Sequence, residues 1–175
     1  MAANHQVINK WPLTSRIFHW VSALLLLVIW GLFLLYENSD NISYLNLHKA
    51  FGLSLLCWMI ARLINRLMVK APPRLTMPNW QDKVAHLTHL ALYALLITMP
   101  IAGFLMVSYG GRPVSMFGLF DIPVLVTPNR STARFFNTLH TNIIWTLILG
   151  FTGLHIAAAL YHQLFKKDKL INRMM

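Results

Sequence analysis

Charge is scarce in this chain, and acidic charge is scarcest. Lysine and arginine number 15, aspartate and glutamate only 5, so 11% of the 175 residues are charged. A soluble domain carries about 25%. Together with 57% hydrophobic residues and a mean hydropathy of +0.54, the shortage excludes an ordinary soluble enzyme and points to a bilayer. Cysteine is almost missing. Cys57 stands alone inside an apolar run, which excludes a disulfide within the chain. Internal repeats and low-complexity tracts are absent, and no stretch remains for a separate soluble domain.

What is present is four apolar runs, at about 16–36, 47–68, 84–107 and 137–165. Each has the roughly 20 residues that a helix needs to cross about 30 Å of hydrocarbon. The expected fold is therefore all-α, one integral membrane four-helix bundle over 1–175. No small-residue cleavage site follows a short apolar core, so the first run is expected to stay as an anchor.

Cations set the orientation. With both termini on one side, that side collects Lys10, Arg16, Arg62, Arg66, Lys70, Arg74, Lys83, Lys166, Lys167, Lys169 and Arg173. The other holds only Lys49, Arg112, Arg130 and Arg134. The bias predicts cytoplasmic termini by the positive-inside rule. It also accounts for the net charge of +10 without a nucleic acid partner.

Histidine is the informative residue. Imidazole is costly in hydrocarbon, so an intramembrane histidine is a functional candidate by default. The last run, Phe136 to Phe165, carries His140, His155 and His162. His140 and His155 lie within about 60° of each other around an α-helix and about 22 Å apart along it. That gives one imidazole near each edge of the membrane, on one face. Depth then sorts the partners. Passing in, out, in and out again, the chain sets His48 level with His140 and His19 level with His155. Single membrane histidines often serve only as hydrogen-bonding glue between helices. Four that pair by depth across three helices point instead to two stacked haems, each held by two imidazoles, with irons about 20 Å apart along the membrane normal. Such an iron has no open axial position, which favours electron transfer over oxygen activation. The Cys-x-x-Cys-His attachment of a c-type haem is missing, so the haems would be non-covalent b haems.

Other residues gather around these four. Arg16, three residues before His19, is placed to meet a haem propionate, or else snorkels at the interface. Gly52, one turn beyond His48, leaves room for a flat macrocycle against its helix. His86, His89, His162, Asp82 and Lys83 collect near the cytoplasmic surface. Among them His89 and His162 are the candidates to hand protons to a quinone acceptor, since imidazole titrates near neutral pH. Lys49, Arg130 and Arg134 surround the outer pair, where they could steer an anion or pair with propionates and lipid phosphates. The apolar segment SMFGLFDIPVLV is expected to lie on the outer membrane surface or to cap the bundle.

The chain resembles the bacterial cytochrome b561 family over nearly its whole length. The matching stretches are FHW at 18–20, LHKAFG at 47–52, HLTHLALYALL at 86–96 and GRPVSMFGLFDIP at 111–123. They continue with the LH of 139–140, GLHIAAALYH at 153–162 and the tail KDKLINRMM. The resemblance implies a di-haem cytochrome of the bacterial inner membrane, with ligands at His19, His48, His140 and His155. Some members of the family are superoxide oxidases that reduce quinone, so it also implies a superoxide:quinone oxidoreductase. An electron-relay subunit docked to a dehydrogenase or hydrogenase is the competing expectation, and a transporter or assembly factor with structural histidines is a third. A homodimer stays open as a partner.

Overall fold

The computed structural model describes residues 9–73 and 77–175, so Arg74 lies outside the described residues. Three continuous helices come first: α1 (Leu13–Ser39), α2 (Ile42–Met68) and α3 (Asn79–Tyr109). The fourth helical run, Arg130–Lys166, is composite. It joins α4 (Arg130–Thr138), a π-helical stretch at Leu139–Ile144, α5 (Trp145–Tyr161) and a second π-helical stretch at His162–Lys166. All four runs are long and apolar enough to cross a membrane. The architecture is the expected all-α membrane bundle.

The helices extend past the predicted runs because caps, not hydropathy, set their ends. Sequence placed a polar loop over 37–46, yet only Asp40 and Asn41 separate α1 from α2. Asp40 closes α1 in the left-handed region (φ 52°), with its N–H donating to Tyr36 O. Asn41 opens α2 by accepting Ser43 N–H on its side chain, at 3.0 Å. The last run likewise begins at Arg130, seven residues earlier than expected. Asn129 caps it through a hydrogen bond from Thr132 N–H, at 3.0 Å.

Packing follows chain order. α1 packs on α2, α2 on α3, and α3 on both α4 and α5. Leu55 and Met59 of α2, Leu96 and Ala102 of α3, and Ile144 and Ile148 of the last run form the buried apolar cluster. Small polar groups fasten α1 to α2: Ser22 Oγ, whose proton goes to Phe18 O of its own helix at 2.6 Å, approaches Met59 Sδ at 3.6 Å. Asn65 Nδ2–H donates to Ser15 Oγ at 2.9 Å. Each such bond contributes on the order of 1 kcal/mol within a bilayer. By contrast, α1 and α2 make little backbone contact with the last run among the described residues.

The segment between α3 and α4 holds a small hairpin, β1 (Val114–Met116) antiparallel to β2 (Phe120–Ile122), with Met116 opposite Phe120. Phe117 (φ 56°) and Gly118 (φ 75°) make its turn. A left-handed phenylalanine costs about 1–2 kcal/mol. The contact it gains is edge-to-face packing on Phe51 of α2, with ring centroids 5.1 Å apart. The apolar segment thus leans on α2 beside the end where α1 turns into α2.

At the other end residues 9–20 meet the last residues of the chain. Trp11 N–H donates to Arg173 O at 3.0 Å, and Trp20 Nε1–H to Met174 O at 2.7 Å. Arg173 donates from Nε to Asn9 O at 3.0 Å and from Nη2 to Pro73 O at 2.5 Å. Residues 167–175 therefore form a strap folded back across the ends of the helices.

Candidate functional site

The histidines paired by depth face each other. The rings of His48 on α2 and His140 on the last run have centroids 6.2 Å apart with planes at 85°. Those of His19 on α1 and His155 on α5 are 6.1 Å apart with planes at 69°. Both pairs bridge the gap where backbones stand apart, α2 from the last run in one case and α1 from it in the other. The spacing can be tested against a metal between the rings. With a metal–nitrogen bond of about 2 Å and roughly 1 Å from ring nitrogen to ring centre, two imidazoles on opposite sides of one ion have centroids about 6 Å apart. Among the described residues no three His, Cys, Asp or Glu side chains converge to hold a bare ion. Two opposed imidazoles instead suit a group that brings its own equatorial ligands, which is what a haem does.

The π-helical stretch at His140 matters for this alignment. One residue too many for an α-helical turn moves the phase between His140 and His155 from about +60° to about −40°, which brings the two rings closer to one face. That correction to the uniform helix expected from sequence is local, and it falls on the histidine itself.

Ring orientation is set by the second nitrogen. His48 Nδ1–H donates to Ile29 O and His140 Nδ1–H to Met99 O, both at 2.9 Å. Each bond leaves Nε2 free of a proton and able to bind a metal. His140 reaches Met99 because α3 has a glycine one turn on. A Cβ at Gly103 would stand 2.8 Å from His140 Cε1 and 2.9 Å from Nδ1. Gly52, singled out from sequence, has no such neighbour: a Cβ there would meet nothing within 4 Å. Its face is open, whereas the glycine that makes room for an imidazole is Gly103.

The second pair is held differently. Arg62 Nη2–H donates to His19 Nδ1 at 3.0 Å, and the guanidinium lies over the Tyr93 ring, 5.3 Å from its centroid. A neutral His19 that accepts at Nδ1 carries its proton on Nε2, so binding a metal through Nε2 requires Arg62 to turn aside. Sequence reasoning places Arg62 at the membrane surface and leaves Arg16 either meeting a propionate or snorkelling at the interface. In the structure Arg16 lines a groove with Leu13, Ile17, Trp20, Val21, Met174 and Met175. The missed signal was depth, since fourteen residues of α2 separate Arg62 from His48 and carry it to the level of His19.

The predicted proton donors part company. His89 donates from Nδ1 to Ala85 O at 2.6 Å and sets its ring against His155, with centroids 5.2 Å apart. At that distance the His89 and His155 rings are in contact, too near for a metal between them. His162, buried two turns beyond His155, donates from Nδ1 to Asp168 Oδ2 at 2.5 Å. His86, left as an interfacial residue, is exposed and hydrogen-bonds to Asp82 O.

Around the first pair, Lys49 is half-buried and within electrostatic reach of Arg112. Arg130 and Arg134 are exposed on α4, one turn apart. Arg112, at the start of the hairpin segment, is the cation that sequence reasoning left out of this group.

Comparison with known proteins agrees with this geometry. A family model described as prokaryotic cytochrome b561 matches residues 10–175. "Cytochrome b561 homolog 2" of Escherichia coli K12 is 30% identical over 95% of this chain and 92% of its own. "Cytochrome b561 homolog 1" of the same organism is 27% identical over 96% and 98%. "Probable superoxide oxidase CybB" of Yersinia pestis is 29% identical over 90% of each chain. With the match spanning all four helices and both histidine pairs, the chain belongs to the prokaryotic cytochrome b561 family, haem b proteins that move electrons within the bacterial inner membrane and cross it several times.

Proposed function

We propose that this protein takes electrons from superoxide at the end bearing His48 and His140, and delivers them to quinone at the end bearing the termini, which faces the cytoplasm. The observation that carries the reading is the two opposed imidazole pairs, each with one member on the last helical run. His48 and His140 would hold one b haem, His19 and His155 the other. Bound there, the two haems supply one-electron redox steps at two depths of the membrane.

The chain's own residues do the rest. Ile29 and Met99 carbonyls fix the tautomers of His48 and His140 and keep both rings from rotating. Lys49, Arg112, Arg130 and Arg134 make the outer end attractive to an anion, and the Yersinia relative's name supports superoxide as that anion. Oxidation of two superoxides to two O₂ releases two electrons. Reducing one quinone to quinol takes up those two electrons and two protons. His162 and His89 are the groups proposed to pass protons, because both are histidines close to the second pair or to the strap end.

The test uses purified protein and quantified haem. Two haems are expected in the parent, and His140→Ala and His155→Ala should each lose a different one. Loss of the same haem in both would overturn the assignment. Superoxide-driven quinone reduction should slow in His162→Ala and His89→Ala with haem spectra intact. Unchanged turnover in both would move the quinone site elsewhere.

A further inference from the structure

The strap also carries a half-buried carboxylate back onto the last helical run. The helical run ends at Lys166 and reverses through Lys167 and Lys169, both left-handed, with φ of 55° and 57°. Non-glycine residues in that region cost about 1–2 kcal/mol each, and they persist where surrounding contacts over-determine them. Here those contacts are explicit. Lys167 and Asp168 donate their N–H groups to His162 O. Gln163 Nε2–H donates to Asn172 Oδ1 at 3.1 Å, and Ile171 N–H to Gln163 Oε1 at 3.3 Å. The reversal turns Asp168, between the two lysines, back onto His162.

The result is a carboxylate–imidazole dyad. Asp168 Oδ2 accepts from His162 Nδ1, while Oδ1 is buried with no hydrogen-bond partner. Leaving a carboxylate oxygen buried and unsatisfied is expensive, so such a group calls for a reason. His162 itself is 9% exposed, and the Tyr161 ring stands edge-on to it at 5.8 Å. Its Nδ1 is occupied by Asp168, so the nitrogen left for chemistry is Nε2.

We infer that Asp168 is a positioning residue for His162, holding the imidazole so that Nε2 delivers a proton to the quinone. The inference rests on the quinone reading above and adds the group that aims its donor. In the step, the Nε2–H bond of the imidazolium breaks and an O–H bond forms on the reduced quinone oxygen. The electrons arrive from superoxide through the protein. The neutral imidazole left behind keeps its Nδ1–H bond to Asp168, so the ring does not turn, and a proton from water at the strap end restores Nε2–H. A second cycle supplies the second proton. A carboxylate that holds one tautomer and one ring orientation plays this part in other acid–base sites.

The experiment pre-reduces the full-length protein with dithionite and mixes it with a short-tailed benzoquinone, following haem reoxidation. In Asp168→Asn the maximal reoxidation rate should fall about tenfold to a hundredfold, part of the roughly 10²–10⁴-fold that a general acid contributes. The quinone concentration giving half-maximal rate, and the haem spectra, should stay at parent values. Asp168→Glu should recover part of the rate. Parent-like rates in Asp168→Asn, with His162→Ala slow, would overturn the positioning role alone. Parent-like rates in His162→Ala would overturn the quinone assignment and this inference with it. A readout without any variant is nitrogen NMR of ring-labelled histidine in the parent: His162 Nδ1 must carry a proton shared with a carboxylate. A ring with Nδ1 bare would also overturn the proposal.

Discussion

The His140 ring occupies the space that a side chain on Gly103 would need: its Cε1 lies 2.8 Å from where a Cβ would be. Both groups sit on backbone that cannot easily move, since the ring is also tied to Met99 O. Gly103→Ala should therefore push His140 off its pair and lower haem content to the level of His140→Ala, while leaving the other haem in place. Haem per protein and the reduced spectrum report this directly. Full haem content in Gly103→Ala would show that the ring has another place to go. Gly52→Ala, with open space around it, should keep both haems.

Imidazole planes at 85° and 69° predict a particular magnetic signature. Crossed axial planes leave the two iron orbitals that they act upon nearly equal in energy. Ferric protein should then give strongly anisotropic low-spin EPR signals, the 85° pair more so than the 69° pair. Ordinary rhombic spectra for both haems would mean that the rings rotate into register when the group binds.

Arg62 predicts a difference in potential between the two sites. A guanidinium near His19 favours the reduced state, which carries one less positive charge. Arg62→Leu should lower the midpoint potential of the haem beside it, on the order of tens of millivolts, by Coulomb's law in a medium of intermediate dielectric. The other haem, at the His48 end, should not shift. A redox titration that moves both or neither would remove Arg62 from this role.

Steering by the cations of the His48–His140 end is a matter of rate. In Arg130→Gln/Arg134→Gln, haem reduction by a superoxide pulse should slow about tenfold at low salt, and less as ionic strength rises. A rate indifferent to both salt and substitution would leave the donor uncharged or the entrance elsewhere.

The broad architecture was legible because hydropathy is a local property: four apolar runs read as four helices whatever they pack against. Histidine pairing was legible for a similar reason, as depth follows from counting residues along a span. What escaped depends on approach between helices. Gly103 matters only because His140 comes to it from another helix, and nothing near residue 103 says so. Arg62 could have been found by counting, had cations been sorted by depth as the histidines were. The Asp168–His162 contact was out of reach, because it depends on two lysines adopting a backbone conformation their side chains disfavour. The π-helical stretch at Leu139–Ile144 was equally silent, since no residue type marks it.

The bonds joining Trp11 to Arg173 and Trp20 to Met174 have a consequence for biogenesis. Residues 167–175 are translated after all four membrane helices, so that end of the bundle cannot latch while the ribosome still holds them. Until then Trp20, whose ring stands 5.2 Å from that of His19, lacks its partner, which leaves a window through which a prosthetic group can enter. A purification tag fused directly after Met175 competes with that latch, and the His19–His155 site should fill less completely than in protein tagged at the other terminus.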